Sequence, residues 1–256
     1  MKTILLSVLL ICLSLSSYSQ KDLLCGFKDG LQDGTCKTFY DNGQVKESVE
    51  WEKGKPHGDA QYYHKNGKLQ AEGKFYKGFK TGDWKHFYEN GNPEAEESFK
   101  IVDKTESKEG LFTYYYPNGN KKYFVNFKKN VRQGESWNYF ENGSVSEKYL
   151  YKDGMLNGPA ETYHKTTGKL DGKGNMKANK ADGKWTYYYD DGVTMETTGS
   201  YLNGEQEGEW KSFHKNGKVK IQSTFINGKR EGKRLHYDEK GNLEKTEIYK
   251  NGELIK

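Results

Sequence analysis

The stretch NGEQEGEWKSFHKNGKV, residues Asn203–Val219, contains the pattern that organises the whole chain. Two close relatives of it are KGFKTGDWKHFYENGNP at Lys77–Pro93 and KNVRQGESWNYFENGSV at Lys129–Val145. In all three, a glycine is followed five residues later by an aromatic residue and nine residues later by a second glycine. Repetition of one pattern in a fixed register is the sequence signature of a repeat protein.

The pattern occurs nine times along the chain, at spacings of 24, 24, 28, 24, 24, 25, 25 and 24 residues. Its first glycines are Gly34, Gly58, Gly82, Gly110, Gly134, Gly158, Gly183, Gly208 and Gly232. The fixed rings five residues later are Phe39, Tyr63, Phe87, Tyr115, Tyr139, Tyr163, Tyr188, Phe213 and Tyr237. A period this short predicts one small supersecondary unit per copy, packed against its neighbours.

Each copy is predicted to form one β-hairpin. Asn-Gly stands at the turn in six copies, at 42–43, 66–67, 90–91, 118–119, 142–143 and 216–217, and Asp-Gly stands at 191–192. Because these pairs tolerate positive φ angles, we expect a type I′ turn between the two strands. The strand before the turn is aromatic, as in Trp185–Tyr189, and the strand after it is longer, as in Lys218–Phe225.

The predicted fold class is all-β: an elongated single-sheet array of about nine consecutive β-hairpin repeats. A lone hairpin is only marginally stable in water, so each copy needs its neighbours. With strands about 4.8 Å apart, nine copies would extend on the order of 85 Å. The fixed rings would line one face, and rings at alternate positions would form a candidate contact surface on the other. These candidate residues are Trp84, Trp185, Trp210, Tyr62, Tyr114 and Tyr187.

The composition predicts a thin aromatic layer in place of a thick aliphatic core. Leu, Ile, Val and Phe make up only 46 of 256 residues, a fraction typical of disordered chains. The 20 Tyr, 12 Phe and 5 Trp point the other way, because disordered chains lack such rings. The 41 basic and 36 acidic residues are interleaved, so no basic stripe indicates nucleic acid as a partner.

Residues 1–20, MKTILLSVLLICLSLSSYSQ, are predicted to be a signal peptide. Lys2 supplies a positive start, Ile4–Leu15 is apolar, and small polar residues precede a cleavage site near Ser19. A membrane anchor is the alternative, although about twelve apolar residues are fewer than the ~20 a spanning helix needs. Cys12 follows a bulky isoleucine, which argues against lipidation. The chain is therefore expected in the periplasm, at the cell envelope or outside the cell.

The remaining chain, 21–256, is predicted to be the hairpin array, with a half-repeat cap at 22–33 and repeats from 34. It retains two cysteines, Cys25 and Cys36, and an even pair in an exported protein predicts a disulfide. The two residues flank a link of the kind that joins hairpins elsewhere, so they fall on neighbouring strands. We expect the disulfide to pin the first edge of the array.

No constellation of residues points to catalysis, so no enzyme, catalytic residue, metal ligand or cofactor is predicted. The sequence contains no Gly-x-Ser-x-Gly elbow, phosphate loop or zinc-type Cys/His spacing. His64, His164 and His214 share one repeat position but lie in copies two, six and eight. Even the last two would be about 19 Å apart, too far to share a metal. We expect each histidine to replace the Tyr or Phe of other copies.

The unit YLNGEQEGEWKSFHKNG, Tyr201–Gly217, resembles the MORN repeat in its Tyr-x-x-Gly, Gly-x-Trp and later Asn-Gly. More closely, it is similar to the variant MORN repeat of bacterial proteins often labelled antitoxins of toxin–antitoxin systems. The resemblance covers about residues 22–256 and implies membrane-lipid contact, scaffolding or protein assembly. Copy six departs from the pattern with Thr167 at its turn and Met176 in place of a ring, and copy three has an insertion at Ile101–Gly110.

Several functions remain open at this point. The leading prediction is an exported, non-enzymatic binding scaffold for an unidentified protein partner. The alternatives are a binder of membrane lipid or glycan surfaces and an antitoxin-like neutralising protein, although export fits poorly with neutralising a partner inside the cell. The predicted contact surface would carry the interaction, because large rings often dominate interface energetics. The other possibility is that these rings only brace the sheet through cross-strand pairs.

Overall fold

A computed structural model of the chain describes residues 23–256, so the predicted signal peptide lies outside the described part. Within it the regular structure consists of 24 β-strands. They are β1 (Leu23–Leu24), β2 (Phe27–Lys28), β3 (Leu31–Gln32), β4 (Gly34–Phe39), β5 (Val45–Glu52), β6 (Lys55–Tyr63), β7 (Leu69–Tyr76), β8 (Phe79–Phe87), β9 (Pro93–Val102), β10 (Thr105–Lys108), β11 (Gly110–Tyr115), β12 (Lys121–Lys128), β13 (Val131–Tyr139), β14 (Val145–Lys152), β15 (Met155–Tyr163), β16 (Leu170–Lys177), β17 (Lys180–Ala181), β18 (Gly183–Tyr188), β19 (Met195–Leu202), β20 (Glu205–Phe213), β21 (Val219–Ile226), β22 (Lys229–Tyr237), β23 (Leu243–Lys250) and β24 (Glu253–Leu254). None of the described residues forms a helix able to cross a membrane.

The predicted single-sheet array is confirmed. Twenty-two strands form one antiparallel sheet, and β2 and β3 form a separate small hairpin. From β4 onward each strand pairs with the next one in sequence. The two exceptions are interrupted strands: β10 and β11 both pair with β9, and β17 and β18 both pair with β16. The sheet is thus a continuous meander in which consecutive repeats are neighbours.

The predicted turn type was wrong at the hairpin turns. In the first of them the Tyr40 N–H donates to the Gln44 carbonyl and the Gly43 N–H to the Tyr40 carbonyl, both at 2.8 Å. Gly43 has φ 81°, whereas Asn42 is not among the residues of positive φ. This is a three-residue loop, a type I turn followed by a left-handed glycine. The Asn-Gly pair alone does not reveal loop length, and loop length selects the turn type.

Type I′ turns are present instead at the links between hairpins. In the first such link of the main sheet, Lys53 and Gly54 have φ angles of 49° and 74° between the paired residues Glu52 and Lys55. Positive φ at both central residues of a two-residue loop is the type I′ geometry. The type I′ turn that was predicted at the Asn-Gly pairs is therefore found at the other end of each hairpin, in the link to the next repeat.

The first glycine of each repeat lies directly opposite the ring that ends the following strand. Gly82, for example, has φ 66° and pairs with Phe99, next to a register shift in the preceding ladder. Glycine adopts a positive φ without the steric cost that a side chain brings, which suits it to this irregular point of the ladder. The nine facing residues are Trp51, Phe75, Phe99, Phe127, Tyr151, Met176, Tyr201, Phe225 and Tyr249.

Hydrogen bonds also join consecutive hairpin turns. The Tyr40 hydroxyl donates to the Tyr63 carbonyl at 2.6 Å, and His64 Nε2 lies 2.8 Å from the Phe87 carbonyl at the equivalent place. His164 and His214 make the same contact with the next repeat, at 3.2 and 2.8 Å. The prediction that these histidines replace tyrosine is confirmed, since both side chains reach the same carbonyl.

The first edge of the sheet carries the predicted disulfide. Cys25 and Cys36 are bonded, with their Cα atoms 4.1 Å apart. The bond adjoins the short ladder between β1 and β4, in which Leu24 faces Lys37. The cross-link therefore holds β1 to the first full repeat, as predicted from the link between the two cysteines. Closing so short a loop contributes about 2–3 kcal/mol in the chain-entropy model.

Candidate binding surface

The face of the sheet that carries Trp84, Trp185 and Trp210 is here called the indole face, and the other the opposite face. Along the middle of the indole face, one residue from each long strand forms a central row. Its members, from β5 to β23, are Val49, Ala60, Gly73, Trp84, Glu97, Phe112, Val125, Ser136, Tyr149, Ala160, Gly174, Trp185, Gly199, Trp210, Ser223, Arg234 and Glu247. Most of them are buried, so this row is the core of the protein.

Each tryptophan of the central row lies on a glycine of the preceding strand. A Cβ added to Gly73 would overlap the Trp84 indole, and Gly174 and Gly199 stand in the same relation to Trp185 and Trp210. Each indole N–H donates to the carbonyl of the residue after its glycine, with Nε1–O distances of 3.1–3.2 Å. This hydrogen bond gives a partner to the indole N–H, the one polar group of the side chain, which would otherwise be buried without one.

This packing corrects the prediction of an exposed tryptophan row. Trp84 is 1 % exposed and Trp185 and Trp210 are each 6 % exposed, so their rings offer almost no contact area. An indole that lies flat on a glycine loses one face to the backbone, and rings and long side chains beside it cover the rest. The Lys80 ammonium, for instance, is 4.4 Å from the Trp84 ring centroid. Tyr62, Tyr114 and Tyr187 remain half-buried beside this core.

The six predicted residues separate into two groups. Tyr62, Trp84 and Tyr114 belong to the first aromatic block, which lies on β6–β11. Trp185, Tyr187 and Trp210 belong to the second aromatic block on β18–β20. The central row between them carries Ser136, Tyr149 and Ala160. The predicted residues do share one face, but they do not form a single continuous row.

In the second block the rings contact one another directly. Trp185 and Tyr187 stack with centroids 5.9 Å apart, and the Tyr201 ring lies edge-on to Trp210 at 5.0 Å. The hydroxyls of Tyr187 and Tyr201 are 3.3 Å apart. Burial, followed by this hydrogen bond, raises the pKa of Tyr187. The block is a braced cluster of rings in which the Tyr187 and Tyr201 hydroxyls contact each other.

The first block contains a carboxylate that the sequence analysis did not single out. Glu97 lies opposite Trp84 in the central row. Its Oε1 accepts a hydrogen bond from the Tyr114 hydroxyl at 2.9 Å, and its Oε2 is 3.5 Å from His86 Nε2. The interaction with His86, and then the Tyr114 hydroxyl, hold the pKa of Glu97 below its usual value, against the opposing effect of burial. Burial and Glu97 in turn raise the pKa of Tyr114.

The signal for Glu97 is its position six residues after a second glycine, where Val49 and Val125 stand in other repeats. The same position holds Glu247 in the last repeat, opposite Arg234. There, hydrogen bonds from Lys245 first and from His236 next lower the pKa of Glu247 to about 2. An acid in a row of core residues could have been marked as unusual from the repeat alignment within the chain.

A groove of about 260 Å³ opens beside Trp84 on the indole face. Its walls include Tyr62, Phe75, Lys80 and His86, with the indole of Trp84 at its base. Phe75 is edge-on to Trp84 at 5.0 Å and Tyr62 lies 6.3 Å away, so the apolar wall is held in place. The groove thus presents ring surfaces together with the Lys80 ammonium, the His86 imidazole and the Glu94 carboxylate, a combination suited to binding side chains of another molecule.

Within 23–256 there is no group of three or more His, Cys, Asp and Glu side chains placed to hold a metal ion. The two cysteines are joined to each other.

A family model described as MORN repeat variant matches seven segments of the chain. They are residues 32–53, 56–77, 80–100, 108–129, 181–203, 206–227 and 230–251. The matched residues are more than half of the chain, and they leave out 130–180. No curated protein matches the chain in sequence.

Three solved structures show remote likenesses. A porin-like protein from Bacteroides uniformis ATCC 8492 is 8 % identical, with 68 % of this chain and 86 % of that chain covered and a TM-score of 0.20. Crystal structures described as TcdB2-TccC3-Cdc42 and TcdB2-TccC3-TEV are 10 % and 12 % identical, with TM-scores of 0.18 and 0.19. They match 84 % and 89 % of this chain but only 15 % and 12 % of their own chains. TM-scores this low do not indicate a shared fold.

Proposed function

The chain belongs to the MORN repeat variant family, and from this premise we propose that it is an exported, non-enzymatic scaffold that binds a protein partner. MORN repeats form a repeat-based binding scaffold, and the proposal adds the place of binding. The observation that carries it is the groove beside Trp84, in which Tyr62, Lys80 and His86 surround a buried indole. Because the indole is fixed by Gly73 and by its N–H bond, the partly exposed groups around it are preorganised for contact.

Export is supported by the leader-like N-terminal sequence and by the disulfide. A bond between Cys25 and Cys36 is typical of proteins that fold in an oxidising compartment. The antitoxin-like alternative places the protein in the cytoplasm, where thiols are kept reduced. The disulfide therefore favours a partner at the cell envelope or outside the cell.

A general-acid role does not fit Glu97, the carboxylate beside the groove. A general acid needs a raised carboxyl pKa near neutral pH, whereas the pKa of Glu97 is lowered. Glu97 accepts from Tyr114 and lies next to His86, so its oxygens serve to position these two side chains. We interpret the acid as an organiser of the surface that a partner contacts.

The test is capture of envelope components on immobilised protein, with two matched double variants. Tyr62→Ala with Lys80→Ala alters the groove of the first block. Tyr187→Ala with Gln206→Ala changes the same two repeat positions in the second block. We expect the first variant to lose the captured partner and the second to keep it, with both folded by circular dichroism.

Other results have distinct meanings. Loss of capture in both variants would extend the site over both blocks, as the sequence first suggested. Undiminished capture by both variants would reject the indole face as the binding surface. Reduction of the disulfide before capture provides a separate control on whether the first edge contributes.

A second candidate function is binding to an anionic membrane surface. Seven apolar side chains that flank the links are exposed: Leu31, Tyr76, Phe79, Val131, Met155, Leu202 and Ile226. Four of them pair directly across the link turn with a lysine, as Val131 does with Lys128 and Met155 with Lys152. Apolar groups with adjacent lysines are the combination that anionic lipid interfaces bind.

Vesicle flotation distinguishes this candidate. If the link residues bind lipid, wild type will float with anionic vesicles and not with neutral ones, and Phe79→Ser with Ile226→Ser will abolish flotation. The groove variant Tyr62→Ala with Lys80→Ala provides the comparison. Absence of flotation with anionic vesicles would remove the lipid candidate.

A further inference from the structure

Between the two aromatic blocks, strand β13 carries its tryptophan on the opposite face and its small residue on the indole face. The third residue after the first glycine lies in the middle of the opposite face and is polar or charged in most repeats, as with Lys37, Lys85 and Lys211. In the fifth repeat this residue is Trp137, and its ring is 5.9 Å from that of Phe124 on the neighbouring strand. The indole face carries small Ser136 beside it. The large ring of this strand therefore lies on the opposite face, while Tyr149 on the next strand keeps a ring on the indole face.

This placement coincides with the gap in the family match. Residues 130–180 are not matched by the repeat model, yet β13–β16 continue the antiparallel meander. The backbone architecture therefore does not depend on the side chains that distinguish this segment. Trp137 is a half-buried ring at a position where most other repeats carry a polar or charged side chain, so continuation of the sheet does not require a ring there.

The surroundings of Trp137 already hold an ammonium group. Lys148 Nζ lies 4.6 Å from the Trp137 centroid and 5.0 Å from that of Tyr163. It is also 3.5 Å from a carboxylate oxygen of Glu161, whose other contact is the Tyr163 hydroxyl at 2.5 Å. Two ring faces and a carboxylate around one cation is the arrangement used for recognising ammonium and guanidinium groups.

Next to this ammonium, the opposite face has an open groove of about 320 Å³. Its lining includes two carboxylates, Glu135 and Glu161, but a single cation, Lys148. Leu150 and Pro159 add apolar surface. The lining thus has one carboxylate more than cations, with Lys173 facing Glu161 from the next strand, and it combines that charge with the Trp137 ring and an aliphatic wall.

We propose that this groove binds an arginine side chain of a protein partner. The guanidinium would lie between Glu135 and Glu161 and against Trp137, with its methylene stem on Leu150 and Pro159. Arginine fits better than lysine because its planar group pairs with carboxylates and also stacks on rings. The site goes beyond the scaffold groove proposed above, since it lies on the other face and in different repeats.

The experiment titrates the chain with the peptide Gly-Gly-Arg-Gly-Gly and follows the indole N–H resonances, with Trp137 assigned from Trp137→Phe. We expect a saturable shift confined to Trp137 that weakens as salt is raised. The matching peptide with citrulline, which is neutral and nearly isosteric, should give no saturable shift. Glu135→Gln with Glu161→Gln should weaken binding at least about tenfold, the size expected for loss of charged contacts of about 1.4 kcal/mol or more.

Two further variants sharpen the test. Lys148→Met removes the resident ammonium and should tighten binding of the peptide. Glu209→Gln changes the residue that stands at the position of Glu135 in the eighth repeat and should leave binding unchanged. The site is refuted if the arginine peptide gives no saturable shift in the millimolar range, if citrulline shifts Trp137 equally, or if the double glutamine variant binds like wild type. None of these outcomes depends on the groove beside Trp84.

Discussion

The two aromatic blocks share one packing unit and differ in what lies beyond it. In both, an indole lies on a glycine and donates to the next carbonyl, with Gly73 under Trp84 and Gly199 under Trp210. On the strand that follows the indole, the residue paired with the tryptophan is Glu97 in the first block and Ser223 in the second. The glycine–indole unit is thus the common architecture, and the residue on the far side is free to vary.

This difference shows how a repeat protein can acquire a site without changing its fold. The far-side position is set by strand pairing, so a carboxylate placed there must be satisfied by its neighbours. In the first block the Tyr114 hydroxyl donates to Glu97, and His86, which lines the groove, lies 3.5 Å from its other oxygen. The second block has no acid at this place, and the hydroxyls of Tyr187 and Tyr201 contact each other there.

The largest expected effect is loss of an indole. Trp84→Ala and Trp185→Ala should each lower the free energy of unfolding by about 3–5 kcal/mol, because each leaves a cavity in the central row. Denaturant titration followed by far-UV circular dichroism measures both. Trp137→Ala is the control, since Trp137 lies on the opposite face and is half-buried, and it should cost clearly less. Equal losses for all three would show that burial in the central row is not what stabilises the array.

The next effect is overpacking of the glycine under the indole. Gly73→Ala and Gly199→Ala should each cost about 1–3 kcal/mol, because the new methyl group occupies the place of the ring. Ser200→Ala, at an exposed neighbour of Gly199, should be nearly neutral. Thermal unfolding of the three variants provides the measurement. If Gly199→Ala were as stable as Ser200→Ala, the common unit of the two blocks would be refuted.

A smaller effect separates the blocks by pH. Because folding lowers the pKa of Glu97, its ionised form stabilises the first block above the ordinary carboxyl pKa, and this contribution is lost as pH falls from that pKa through the lowered pKa of the folded state. Glu97→Gln should cost about 1–2 kcal/mol at pH 7 and less at a pH below the ordinary carboxyl range. Hydrogen exchange of β8–β11 against β18–β20 at the two pH values checks it.

Glu247 also titrates in acid, so the readout must be local. The lowered pKa of Glu247, about 2, makes the last repeat lose stability as pH falls toward that value. Comparing wild type with Glu97→Gln cancels that contribution. An unchanged pH response of β8–β11 in Glu97→Gln would contradict the role given to this acid.

The architecture was predictable because it depends on backbone register. The spacing of first glycines, fixed rings and second glycines determines where strands and turns alternate, and the symmetric placement of Cys25 and Cys36 about a link predicts their bond. The type of hairpin turn was not predictable from Asn-Gly alone. It depends on loop length, and Tyr40 and Gln44 are separated by one residue more than a type I′ hairpin allows.

The site was predicted only in part, because burial depends on pairing across the links. Face alternation correctly placed Trp84 and Tyr62 on one side of the sheet. It did not show that Gly73 lies beneath Trp84, since a register shift between Glu72 and Lys74 brings the two together. The interaction of Glu97 with His86 joins neighbouring strands through side-chain geometry, which sequence spacing does not contain.

The smallest effect tests whether the hydrogen bonds that join consecutive hairpin turns contribute equally to stability in the two blocks. His64 in the first and Tyr189 in the second each contact a carbonyl of the next repeat, at 2.8 and 2.6 Å. His64→Phe and Tyr189→Phe should therefore cost similar amounts, about 0.5–1.5 kcal/mol, the usual net value of one hydrogen bond. His64→Tyr should be neutral, because tyrosine makes this contact elsewhere in the chain.

The segment between the blocks allows the reverse substitution. Phe140 occupies the repeat position of His64 and Tyr189 but has no hydroxyl to donate. Phe140→Tyr should stabilise the array by at most about 1 kcal/mol, by adding a donor toward the Tyr163 carbonyl. The gain should fall below the loss in Tyr189→Phe, because the next turn contains one extra residue and the neighbouring Asn142 contact to Lys165 is already stretched to 3.5 Å. Melting temperatures of the four variants measured together decide this. A gain for Phe140→Tyr as large as the loss for Tyr189→Phe would show that the longer turn does not weaken the ladder, and that the middle segment differs from the blocks in side chains alone.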